Sequence, residues 1–328
     1  MVKMETLAFL SDLNFQTIAN IDTKLLDFFS DKLVIANFEG YLANRNDPTT
    51  LGITKENFLH MVKALNVKYL NIANNHIFDD GYDGFERTIN FLNDCQIPYF
   101  GLKETPFVVI KLENVKVGIL SFAWRMTGAR NNAINVCWLK CSKVFKQIDE
   151  LKKISDYIVV YPHWGIDMEI LPHPWQITIA HRLLKHGVDL VVGHHPHITQ
   201  PFEDKIFYSI GNTYLPNNEV TNYQNNKASS GLIVLVNFNG NNAKISFKGT
   251  KFSNGQLCFD EKTNIGPLQY DGNYIKYFKK CRAKKTIPIF TGKIQDYFFA
   301  LPYLLALEKI ISIKPVINYL RRRKKREL

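Results

Sequence analysis

Two carboxylates, an asparagine amide and several imidazoles stand at the ends of apolar runs in this 328-residue chain. Asp12 closes "ETLAFLSD", Glu39 closes "LVIANFE", Asn74, Asn75 and His76 end and follow "VKYLNIAN", and His163 lies in "DYIVVYPHW". "VVGHHPHITQPFE" then packs His194, His195 and His197 into four positions. Oxygen and imidazole donors in this mixture suit hard-to-borderline divalent metals such as manganese, iron or zinc, rather than the thiolate sites of structural zinc. His195 and His197, with Pro196 stiffening the backbone between them, share a face if the segment is extended. Such a pair can give one ligand each to two metals ~3.5–4 Å apart. Taken singly, each residue has a plainer use: a strand-end Asp or Glu caps a helix, His163 hydrogen-bonds within a core, and "NNH" forms a turn. Their recurrence in order, each at a strand end, points to a shared metal site.

The elements that must position these groups read as alternating strands and helices, the pattern of an α/β protein. Candidate strands are 5–12, 33–39, 67–74, 115–123, 156–164, 188–194 and 205–212, and helical spacing marks 55–66, 84–94, 142–154 and 175–186. "SSGLIVLVNF" and "AKISFKGT" flank "NGNN", a hairpin signal. In α/β sheets ligands collect at the carboxyl ends of strands, where following loops converge without breaking the buried sheet.

The motifs "NFEG", "NIANNHIFDDGYDGFERTINFLN", "YPHWGIDMEILPHPWQITIAHRLLKHGVDLVVGHHPHITQPFE" and "IFYSIGN" resemble those of the CapA family of capsule (poly-γ-glutamate) biosynthesis proteins, within the calcineurin-like metallophosphoesterase superfamily. The resemblance covers roughly residues 5–240. It implies a four-layer α/β/β/α metallophosphatase-like sandwich, expected over residues 1–270, while composition sets apart a basic, helical C-terminal segment over 271–328. It also implies a site of two divalent metal ions held by Asp12, Glu39, Asn75, His163, His195 and His197, with His76 as the catalytic histidine. His194 falls at a position the family leaves variable and stays outside this ligand set. The first motif departs from the family in reading Ser11-Asp12 for Gly-Asp, and Asn14 replaces the histidine of the superfamily's Asp-x-His pair. Asn14, Asn74, Glu169, His173 and Gln176 are the candidate substrate contacts.

Two cations sharing a carboxylate activate water at neutral pH and clamp the oxygens of a phosphoester, which His76 is placed to protonate at its leaving oxygen. The expected function is therefore phosphoester hydrolysis in capsule or surface-polymer biosynthesis, on an anionic polymer or a phosphorylated glycan intermediate and alongside the assembly machinery. The same ligands also suit amide or acyl chemistry on a glutamyl polymer, or a scaffold that holds polymer without turnover.

The net charge of +11 does not signal nucleic acid, because residues 276–328 carry 15 Lys and Arg against 3 acidic residues and leave the body near neutral. No nucleic-acid module accompanies the tail, so no nucleic-acid partner is expected. Its apolar segments and the run Arg321 to Arg326 suit an anionic membrane surface. An odd five cysteines without a zinc-finger pattern read as free thiols in a reducing compartment. With no signal-peptide pattern at the start and no apolar run long enough to span a bilayer, the expected location is cytoplasmic, peripheral on the membrane's inner face.

Overall fold

The computed structural model describes residues 5–17, 20–45, 50–129, 131–138, 140–215, 229–263, 265–269, 274, 276 and 277. The chain divides into two compact units, Met1–Leu268 and Gln269–Leu328. Beyond Tyr277 the basic tail, with its proposed membrane contact and Cys281, lies outside the described residues.

Two sheets build the first unit. The larger runs in the order Asn20–Ile21, Gln256–Phe259, Asn242–Ser253, Ser230–Asn239, Glu5–Leu13, Leu33–Phe38, Val67–Asn71 and Tyr99–Phe100, with Asn212–Tyr214 also pairing to Glu5–Leu13. The second runs Phe202–Glu203, Ile206–Phe207, Leu190–Val192, Tyr157–Val160, Lys116–Leu120 and Phe107–Lys111. Both have a parallel centre. Pairings of Glu5–Leu13 with Leu33–Phe38 and of Tyr157–Val160 with Leu190–Val192 are parallel, so the carboxyl ends of these strands gather on one side.

Alternation along each strand separates the layers, since successive side chains point to opposite faces. Leu7, Phe9 and Ile35 of the larger sheet pack with Val117, Ile119, Val159, Leu190 and Val192 of the second, forming the core between the sheets. Ala8, Leu10, Val34 and Ala36 face the other way, onto helices α1 (Thr23–Phe29), α2 (Lys55–Ala64) and α3 (Gly81–Asp94) through Leu25, Phe58, Met61 and Phe91. Helices α4 (Ser142–Leu151) and α5 (Pro174–Lys185) contact the second sheet along Lys116–Leu120 and Leu190–Val192. The layering is α/β/β/α, as the motifs implied. The expected hairpin also forms, with Asn239 paired to Asn242 across Gly240 and Asn241.

One expectation is corrected. Cys137 and Cys141 are joined by a disulfide, with Cα atoms 5.1 Å apart. The left-handed backbone at Cys141 (φ 49°) folds the short loop back far enough for this, within the usual span of a disulfide. Cys95 and Cys258 are free, and the ground for expecting a reducing compartment is removed.

Gly193 ends the strand Leu190–Val192 and leads into the histidine run. A Cβ there would collide with the Tyr208 carbonyl and the Trp164 indole nitrogen, which are themselves hydrogen-bonded at 2.9 Å. Gly193→Ala is therefore expected to destabilise the protein by about 2–3 kcal/mol. Urea unfolding checks this, and an unchanged midpoint contradicts it.

Candidate metal centre

The register of the parallel strands places four polar residues in one row. Asp12 lies opposite Asn212 on one side and Asn37 on the other, and Asn37 lies opposite Asn71. The row is buried and tied together. Asn37 Nδ2 donates to Asp12 Oδ1 at 2.8 Å and to Glu39 Oε2 at 2.6 Å, while Asn71 Nδ2 donates to Asn37 Oδ1 at 2.8 Å. From the second sheet, His163 pairs with His194 in a parallel bridge.

Two sets of ligand atoms converge, Asp12 with His163 and His194, and Glu39 with His195 and His197, each within 4.8 Å. His194 Nδ1 sits 3.1 Å from Asp12 Oδ1 and 2.9 Å from His163 Nδ1. His197 Nδ1 is 3.2 Å from Asp12 Oδ2 and 2.8 Å from Asn212 Oδ1, and His195 N donates to Asp12 Oδ2 at 3.1 Å. Asn75 Oδ1 lies 2.5 Å from His163 Nε2.

Burial and crowding set the protonation of this cluster. Burial would raise Asp12, but hydrogen bonds and charge from His194 and His197 outweigh it and hold the carboxyl well below the usual range. Burial, and then the charge of Asp12, push Glu39 well up. Burial and the neighbouring imidazoles hold His163 and His195 well below the ordinary imidazole range. Burial acts the same way on His197, yet the hydrogen bond and charge of Asp12 overcome it and leave His197 raised.

These features fit divalent cations. Neutral imidazoles present lone pairs, and two adjacent buried carboxylates can both ionise only beside positive charge. Glu39 Oε1 and His195 Nδ1 are buried without a hydrogen-bond partner, and buried polar atoms of this kind ordinarily find one.

The histidines reach the site by a route other than the extended segment expected. His195 (φ 100°) and His197 (φ 60°) both have left-handed backbone, a conformation that non-glycine residues adopt at a cost of ~1–3 kcal/mol and that clusters at functional sites. Their rings are 5.7 Å apart.

The remaining candidates hold the site's frame. Asn14 donates to the carbonyls of Glu39 and Leu51, each at 2.8 Å. Asn74 donates to Phe38 O and accepts from the amides of His76 and Ile77, fixing the turn that carries Asn75 and His76. His173 is the N-cap of α5 and Gln176 completes its capping box. Glu169 is buried, with its carbonyl accepting from Gln200. His76 is partly exposed, with Nδ1 2.7 Å from Asp79 Oδ2 and Nε2 3.7 Å from Glu39 Oε1.

Sequence reasoning passed over Asn37, Asn71, Asp79 and Asn212, and it weighed His194 but left it outside the ligand set, whereas the structure groups it with Asp12 and His163. For Asn37 a signal was present, an amide inside the otherwise apolar run "LVIANF". Asp79, three residues past His76, stood within the same motif.

Two sheets with parallel centres pack face to face, with carboxylates and imidazoles near the carboxyl ends of their strands. Two solved structures share the fold. A putative 5'-nucleotidase of Staphylococcus aureus matches with a TM-score of 0.52 and 12% identity, covering 85% of this chain and 58% of its own. A phosphatase of Mycoplasma pneumoniae matches with a TM-score of 0.50 and 14% identity, covering 85% of this chain and 99% of its own. Residues 11–217 match the bacterial capsule synthesis protein family PGA_cap, and the chain belongs to that family. It is 32% identical over 174 residues to the capsule biosynthesis protein CapA of Bacillus anthracis, a match covering 48% of this chain and 42% of that one. The chain thus spans less than half the length of this relative.

His173 gives the subsection's prediction. Burial lowers its pKa to about 4, whereas an unfolded histidine titrates near 6.5. The neutral cap's stability is fully present above ~6.5 and is lost as pH falls toward about 4, by ~3 kcal/mol. His173→Asn keeps a capping oxygen and should flatten this part of the curve. Urea unfolding of both proteins at about pH 7 and about pH 4.5 checks it, and parallel losses in the two contradict the assignment.

Proposed function

We propose that this protein is a metal-dependent hydrolase acting on a phosphoester of a surface-polymer intermediate, a phosphorylated glycan or another anionic chain, within capsule or poly-γ-glutamate biosynthesis. The observation that supports it is the convergence of Asp12, His163 and His194 beside Glu39, His195 and His197, with buried ligand atoms left over. In this reading the two sets hold two divalent ions, manganese, iron or zinc, with Asn75 as a further ligand next to His163. Such ions, when bound, supply Lewis acidity and lower the pKa of water toward neutrality.

The protein's own groups do the rest. Asn37 orients both Asp12 and Glu39 through one amide, fixing the separation of the two sets. Asp79 accepts from His76 Nδ1 and fixes that ring, leaving Nε2 to carry a proton to the leaving oxygen. Trp124 and Trp164, both buried, exclude water on the second-sheet side.

The expected partners are the polymer and its assembly machinery, and an anionic membrane surface approached through the basic tail. For compartment, the Cys137–Cys141 bond favours the oxidising side of the membrane over the cytoplasm.

The test is metal content by plasma mass spectrometry together with hydrolysis of p-nitrophenyl phosphate and its diester under manganese, zinc or iron. Wild type is expected to bind metal and turn over, and His195→Ala to lose both. His76→Gln should keep its metal while slowing at least ~100-fold. Metal without turnover of either ester overturns the hydrolase and leaves the scaffold or glutamyl-amide readings.

A further inference from the structure

The segment after Ala123 runs along one wall of the centre. Trp124 N donates to His163 O at 2.8 Å, and Ala123 bridges to His163. Four residues on, Gly128 (φ 103°) turns the chain so closely that a Cβ there would lie 3.7 Å from Asn75 Cβ. Arg125 sits between these two contacts.

Its guanidinium lies 5.1 Å from the centroid of the Trp138 ring. Trp138 is itself 40% exposed and stands in the loop closed by Cys137 and Cys141. Arg125 Nε is buried without a hydrogen-bond partner. Among the described residues no carboxylate pairs with this charge. Arg125 as a whole is half-buried, and its unmet donor leaves the guanidinium short of partners, which an arriving anion supplies by accepting from the planar fork. Stacking on an indole limits the orientations over which that fork would otherwise average.

We propose that Arg125, held by Trp138, recognises a second anionic group of the substrate, a carboxylate or phosphate distinct from the group that is hydrolysed. This rests on the phosphoester reading and adds to it that the substrate carries two anionic centres. The disulfide then has a role in recognition, because it closes the loop that bears Trp138.

The test measures binding to the metal-loaded protein by calorimetry, using phosphonates that cannot be hydrolysed. Propylphosphonate has one anionic group, 3-phosphonopropionate adds a carboxylate, and ethylene-1,2-diphosphonate adds a second phosphonate. Wild type is expected to prefer one of the doubly anionic probes over propylphosphonate by ~10-fold or more, and the preferred probe names the second group. Arg125→Gln should abolish the preference with metal content unchanged, and Arg125→Lys should restore part of it. A purely structural arginine would alter affinity for all three probes alike. No preference in wild type, or the same preference in Arg125→Gln, overturns the inference. Absence of ester turnover with the binding preference intact overturns only the hydrolytic reading.

Discussion

Burying Asp12 beside Glu39 is the constraint on which the rest of this structure depends. Two carboxylates removed from water are costly unless each finds donors or cations, and the surrounding architecture answers that cost. The parallel register aligns Asn212, Asp12, Asn37 and Asn71, so amides are delivered to the carboxylates by the same pairing that builds the sheet. Asn37 then links Asp12 to Glu39. Even so, Glu39 stays pushed up by burial and by its neighbour's charge. The amide of Asn37 does not offset this, and the histidine charge that holds Asp12 down does not extend to Glu39, whose ionisation is favoured by a cation placed next to it.

The second sheet brings the nitrogen ligands to meet this row. His163 and His194 extend adjacent parallel strands and face Asp12, while the turn after Gly193 swings His195 and His197 over it through left-handed backbone. That conformation costs energy, and it is held by Asp12 and Asn212, which contact His195 and His197 directly. Polar residues farther out serve the same end. Asn14 holds the backbone of Glu39, Asn74 holds the turn bearing Asn75 and His76, and His173 with Gln176 starts the helix that packs behind the second sheet. The centre is thus fixed by backbone hydrogen bonds on both sides before any ligand arrives.

Much of this was legible in the sequence. The strands Glu5–Leu13, Leu33–Phe38, Val67–Asn71, Tyr157–Val160 and Leu190–Val192 begin near their expected positions, because apolar runs bounded by polar residues are what a buried parallel sheet requires. Helices α2 to α5 follow from their helical spacing, whereas α1 was passed over, its seven residues being too short for a period to stand out. The chemistry-bearing residues were legible as types at strand ends, but their partnerships were not. Which amide faces which carboxylate depends on register, and register is a property of two strands rather than one. His194 illustrates this, since its place beside Asp12 comes from pairing with His163. The disulfide escaped for a related reason, as the separation of Cys137 and Cys141 is set by the left-handed residue between loop and helix.

The claim at the centre of this account is that the carboxylate–imidazole cluster is a two-cation site. Anomalous diffraction at the manganese edge, from crystals grown with manganese, tests it most directly. The account predicts two anomalous peaks, one among Asp12, His163 and His194 and one among Glu39, His195 and His197. A cluster without anomalous density at full manganese loading, or with metal bound only elsewhere on the surface, would contradict it.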